Sequence, residues 1–205
     1  MKKIMFNDKY GLTAAVLNGR KTMTRRLLPI RIYNKTDWKA FSESNYKVVS
    51  DDKGNWLDIR LYVPYRIGQV LAIAQSYNTL ANSRFCSELD MIDSRTTFKK
   101  EHCGIGWNNK MFVRAELMPS RIKITDMFFE PLQEISDEDC LREGVEKWIN
   151  KYIVTGILKR NHQNNVVFDT PRAAFAALIN RTCGSGTWEK NPWVVSYKFK
   201  LIKEY

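Results

Sequence analysis

Apolar and polar positions alternate most clearly near the end of this chain. Trp193, Val195, Tyr197, Phe199 and Leu201 fall on one side of an extended segment, and Val194, Ser196, Lys198, Lys200 and Ile202 on the other. This period of two predicts a strand with one core face and one partly basic face. Arg121–Thr125 alternates in the same way and predicts a second half-buried strand, continued through Phe128 and Phe129 towards Pro131. Gln69–Ala74 is different: a short continuous apolar run behind the tight turn Pro64–Gly68, which predicts a strand buried on both faces. Further strands are expected at Tyr46–Val49 and Trp56–Val63, around a turn at Asp51–Asn55, and at Lys110–Glu116.

Three helices are expected between these strands. Asn7-Asp8 can cap a helix through Tyr10, Leu12, Ala15, Val16 and Leu17, with Gly19 as its stop. Ser136-Asp137-Glu138-Asp139 is a capping start with three acids in the first turn, leading through Cys140, Leu141 and Glu143 to Gly144. Thr170-Pro171 starts a third, whose stripe is Phe175, Leu178 and Ile179 and whose end is Gly184-Ser185-Gly186. Residues 78–108 and 146–168 carry little periodicity and are expected as two long inserted loops. The sum is one α+β domain over 1–205, a small mixed β-barrel with short flanking helices.

Charge changes this picture most. The chain has 33 Lys+Arg against 22 Asp+Glu, a net charge of +11 over 205 residues, which points to a polyanionic partner, nucleic acid first. An acidic membrane surface fits less well, because no Lys-rich amphipathic helix with a bulky apolar face stands out. No segment reaches the roughly 18 apolar residues of a membrane span, and the N-terminus has no run suited to a signal peptide. A reducing cytoplasm with free thiols is therefore expected for Cys86, Cys103, Cys140 and Cys183. No CxxC pair and no His at ligand spacing accompany them, so neither a metal nor a cofactor is expected.

The densest chemistry lies in Gly19-Arg20-Lys21-Thr22-Met23-Thr24-Arg25-Arg26. Cations and hydroxyls packed this closely suit phosphate recognition by charge-assisted hydrogen bonds. They equally suit an amine that activates a neighbouring hydroxyl; an inert, solvated basic run is the third possibility. In a plain strand Lys21 and Thr24 would face opposite ways, whereas a turn would bring them together.

This stretch resembles the GxKTxTxR signature of the ASCH domain, a PUA-like β-barrel. Pro64–Leu71, Leu132–Asp139 running on to Glu143-Gly144, and Gly186–Val194 resemble further pieces of the same family in the same order, in its phage and prophage branch. The resemblance implies a barrel with a cleft, a relation to RNA-binding domains and, in some members, hydrolysis of N(4)-acetylcytidine or of RNA. It implies a catalytic set of lysine, threonine and glutamate, here Lys21, Thr24 and Glu143. One position departs: relatives of this branch place a glutamate after the apolar strand where this chain has Gln75, and an amide can orient a ligand but neither carry charge nor act as a base.

On the residues themselves, Arg20, Arg25 and Arg26 would help to lower the pKa of Lys21 as a general base. Thr24 would then be the nucleophile, and Glu143 would return a proton to the leaving group. Arg25 and Arg26 suit anion binding whatever the reaction, with Arg20, Gln75, Lys198 and Lys200 as further candidates on the basic surface. Trp188 and Trp193 can stack on a base but read better as core. The expected function is binding of RNA or of a modified nucleoside or nucleotide through a basic cleft, with amidohydrolase action on an acylated cytidine, or ribonuclease action, as the alternative.

Overall fold

In the computed structural model, residues 1–29, 36, 41, 48–50, 56–82, 104–158 and 165–203 are described. The expected turn at Asp51–Asn55, the start of the strand at Tyr46, and His102, His162, Cys86 and Cys103 lie outside them.

The chain opens with β1 (Lys2–Ile4), a single turn of 3-10 helix at Asp8–Tyr10 and α1 (Leu12–Leu17). The Asn7 side chain caps the 3-10 turn, and Gly11, at φ 64°, breaks it from α1. Then come β2 (Met23–Leu27), β3 (Val48–Ser50), β4 (Trp56–Asp58) and β5 (Val70–Ile73). After α2 (Tyr77–Ala81), the long β6 (Ser120–Pro131) leads to α3 (Asp137–Arg142) and to β7 (Glu146–Trp148), β8 (Lys151–Leu158) and β9 (Asn165–Phe168). The chain closes with α4 (Pro171–Cys183), α5 (Thr187–Lys190) and β10 (Trp193–Lys203).

The central sheet has the order β1-β5-β6-β10-β2, antiparallel except for the parallel β1–β5 pair. β10 is its spine, paired along its whole length with β6 and over Val194–Lys198 with β2. Leu71 and Ile73 face the main core, while Ala72 and Ala74 face a second cluster of Tyr77, Leu80, Val113, Ala115 and Met118. β5 is thus buried on both faces, as its unbroken apolar run predicts.

Three expectations need correction. The sheet is α+β in company but not a closed barrel: among the described residues no ladder joins its edges, β1 and β2. With three residues in β1 and five in β2, backbone pairing gives way to a side chain, and Arg26 Nη2 donates to the Met5 carbonyl at 2.7 Å. The loop expected at 146–168 is instead sheet over its described residues, 146–158 and 165–168, where β7, β8 and β9 pair antiparallel with Ile153, Val154 and Ile157 buried. Lys110–Glu116 is not a strand; it forms two 3-10 turns, Lys110–Phe112 and Ala115–Leu117, the first capped by the Asn109 side chain.

Candidate active site

The signature segment escapes the alternation problem because β2 starts only at Met23. Gly19, at φ 73°, turns the chain out of α1. The Lys21 amide then donates to the Ala15 carbonyl at 2.9 Å and the Thr22 amide to the Arg142 carbonyl at 3.0 Å. These two bonds hold Lys21 off the strand and against the end of α3. Thr24, inside β2, lines the same cavity.

α3 supplies the acid. Ser136 caps it by accepting from the Asp139 amide, and its C-terminus falls on Glu143. The Lys21 ammonium donates to Glu143 Oε2 at 2.6 Å and to the Glu143 backbone carbonyl at 2.7 Å. Lys21 is 2% and Glu143 4% exposed, so this is a buried ion pair made between positions 122 apart in sequence. Glu143 Oε1 faces the other way and accepts from Arg25 Nη1 at 3.2 Å.

Arg25 is fully engaged. Its Nε donates to Glu130 Oε1 at 2.7 Å and its Nη2 to Asp139 Oδ2 at 3.2 Å, beside the bond to Glu143. Glu130 is steadied in turn by the Ser196 hydroxyl at 2.6 Å. The cluster therefore sets two cations, Lys21 and Arg25, against three carboxylates, and Arg25 holds Glu143 in place instead of facing an anion.

Burial pushes the Lys21 ammonium below its ordinary value, and Glu143 opposes this without cancelling it. Burial pushes Glu143 upward, but the charges and hydrogen bonds of Lys21 and Arg25 overcome it and hold the carboxyl below the usual range. For Arg25, burial acts downward and the surrounding carboxylates win, so its pKa is raised.

Above this polar floor lies a cavity of about 960 Å³. Lys21, Thr24, Arg25, Arg26 and Glu143 line one side, and Phe175, Leu178 and Ile179 of α4 form an apolar wall opposite in chemistry. Met5–Lys9 and Asn108–Lys110 complete the rim. Thr24 is 4% exposed and lines the cavity beside Lys21 and Glu143. The Phe6 ring sits beneath two cations, with Lys21 Nζ 5.8 Å and the Arg26 guanidinium carbon 5.9 Å from its centroid. Among the described residues no group of His, Cys, Asp and Glu is placed to hold a metal, and no helix is long and apolar enough to cross a membrane.

The structure thus brings Lys21, Thr24, Glu143, Arg25 and Arg26 to one cavity, and leaves the other candidates elsewhere. Arg20 pairs with Glu146 at 3.1 Å and donates to the Gly144 carbonyl at 3.3 Å. Gln75 is buried, its backbone N–H donating to the Met118 sulfur at 3.3 Å, and it does not line the cavity. Lys198 pairs with Asp126 at 3.6 Å over the Phe128 ring, and Lys200 is exposed on the same strand. Trp188 and Trp193 pack edge-on against Phe175 and Phe41 at the margin of the core. Glu130, Asp139 and the Met5–Lys9 rim escaped the sequence reading. Asp139 was visible only as a capping acid, and nothing near Glu130 marks it as a partner of Arg25.

Comparison with protein families, with characterised proteins and with solved structures finds no match to this chain.

Proposed function

We propose that this chain is an ASCH/PUA-like protein that binds RNA or a modified nucleoside in its basic cleft and hydrolyses the amide of an acylated cytidine there. The observation that carries this reading is the 2.6 Å Lys21–Glu143 pair in the cavity that Thr24 also lines. A hydroxyl, an amine of lowered pKa and a carboxyl are the groups that stepwise amide hydrolysis needs.

In this scheme the proton of Lys21 passes along the short hydrogen bond to Glu143, leaving a neutral amine and a carboxylic acid. The amine takes the Thr24 proton as Oγ1 attacks the acyl carbonyl carbon. The tetrahedral adduct collapses, the C–N bond breaks, and Glu143 gives its proton to the departing cytosine amine. Glu143 then takes a proton from water as its oxygen attacks the threonine ester, Lys21 gives its proton to the departing Thr24 Oγ1, and the proton on Glu143 returns to Lys21 as the carboxylic acid leaves. The apolar wall of Phe175, Leu178 and Ile179 suits the face of the base and the acyl group.

Because Gln75 lies off the cavity, its lack of charge does not count against this chemistry. The test is release of cytidine from N(4)-acetylcytidine by the purified protein. Activity abolished in Lys21→Ala and Thr24→Ala, with folding intact, supports the reading. No turnover across a panel of acylated nucleosides removes the hydrolytic part, and no binding of any of them removes the rest.

A further inference from the structure

The charges along the cavity are unevenly satisfied. Lys21 and Arg25 are matched by Glu143, Glu130 and Asp139, and Lys110 by Asp8 at 2.7 Å. Arg26 is the exception. It is half-buried in β2, its Nη2 reaches only a backbone carbonyl, Met5 O, and its buried Nε has no hydrogen-bond partner among the described residues. No carboxylate pairs with it there; it faces the Phe6 ring, with Tyr65, Tyr197 and Lys21 also within reach of its charge. A cation withdrawn from water and left with a carbonyl and a ring face lacks the counter-charge that burial normally demands. Lys9, exposed on the adjoining Met5–Lys9 rim, is a second cation without an ion pair among the described residues.

Cavity size points the same way. At about 960 Å³ it stands at the top of the range of roughly 300–1,000 Å³ typical for small-molecule sites, with room beyond a base and an acyl group. Its lining combines the apolar wall of α4, the charge-balanced Lys21 and Glu143, and two cations, Arg26 and Lys9, that no carboxylate pairs among the described residues.

We propose that Arg26, assisted by Lys9, is a phosphate subsite, and that the ligand of this cleft is a nucleoside phosphate monoester in preference to the neutral nucleoside. This rests on the nucleoside reading above and adds the charged group to it. Arg26 lines the cavity, and a guanidinium presents a planar donor fork suited to phosphate oxygens.

The test is calorimetric titration of the full chain with cytidine 5′-monophosphate and with cytidine, in parallel at low and moderate salt. The monophosphate is expected to bind about tenfold or more tightly than cytidine, as charge-assisted hydrogen bonds allow. Arg26→Gln should abolish that difference. If the Arg26→Gln protein does not fold, Lys9→Gln, on an exposed side chain, should shrink the difference, and inorganic phosphate should compete with the monophosphate alone. Equal binding of both ligands to the unaltered protein overturns the phosphate subsite and leaves the nucleoside reading standing. A loss of both ligands in folded Arg26→Gln also overturns it, since the residue would then act only by tying β2 to Met5. If neither ligand binds, the phosphate subsite is overturned, and the nucleoside reading is decided by the panel of acylated nucleosides.

Discussion

Lys21 Nζ lies 2.6 Å from Glu143 Oε2 in a site from which water is almost excluded. One carboxylate oxygen serves Lys21 and the other Arg25. Removing one partner of such a pair leaves a buried charge without compensation, which typically costs about 3–5 kcal/mol. Glu143→Gln should therefore lower stability by that order in urea titration, since it strands Lys21 and takes one of three carboxylates from Arg25. Lys21→Met should be milder, because Glu143 keeps Arg25. The double variant Lys21→Met/Glu143→Gln should lose less than the sum of the two singles, and strict additivity would show that the pair does not couple.

The same pair fixes how stability responds to acid. Glu143 is held below its ordinary value of 4.5 by Lys21 and Arg25, against the upward push of burial. Its contribution is fully present above about pH 4.5 and is lost as pH falls through the lowered folded value. Lys21 acts at the opposite end: burial lowers it from 10.5, so stability should rise with pH between its lowered value and 10.5. Urea midpoints measured from pH 3 to pH 7 should fall on acidification in the unaltered protein. In Glu143→Gln this acid limb should flatten.

Arg25 gives the site its rigidity. Its three nitrogens each meet a different carboxylate, Glu130, Asp139 and Glu143, and these come from β6, α3 and the turn that ends α3. A lysine cannot satisfy three acceptors in one plane. Arg25→Lys should destabilise the fold by about 1–3 kcal/mol, and Arg25→Gln by more, since three carboxylates would then share the site with Lys21 alone. Either change should raise the pKa of Glu143. In the proposed reaction the pH–rate profile should therefore shift, while the KM for an acylated nucleoside moves little. An unchanged profile would reduce Arg25 to a purely structural residue.

The parts of this arrangement that could be read in the sequence are those fixed locally. Ser136 and Thr170 mark helix starts because a side-chain oxygen must satisfy a free amide there, and both do so, for Asp139 and Ala173. The alternation of β10 and the unbroken run of β5 likewise carry their own burial. The partners of Arg25 could not be read, because Glu130 and Asp139 lie 105 and 114 positions away, and only a sheet in which β10 joins β6 to β2, with α3 beside it, brings them in. The sheet of β7–β9 was hidden for another reason. Tyr152, Ile153 and Val154 are consecutive apolar residues followed by Thr155 and Gly156, so no clean period of two survives. The open edge between β1 and β2 depends on where two short strands stop, and local preference does not specify that.

Gly156 shows how that small sheet is fitted to the site. It sits in β8 at φ 78°, and a Cβ there would stand 2.1 Å from the Lys9 carbonyl oxygen. That carbonyl belongs to the 3-10 turn Asp8–Tyr10, whose residues Asp8 and Lys9 line the cavity. Backbone cannot yield as a flexible side chain does, so an alanine must push β8 and the turn apart, in addition to the strain of positive φ, itself about 1–3 kcal/mol. Gly156→Ala should lower stability by at least about 2 kcal/mol and weaken ligand binding by displacing Lys9, although it touches no candidate catalytic residue. Gly186, also at positive φ but with nothing within 4 Å of its Cβ position, is the control. Gly186→Ala should show the backbone strain alone and leave binding unchanged. Equal losses in the two variants, measured by thermal unfolding and by titration with the same ligand, would mean that β8 and the cavity rim are not in contact through Gly156.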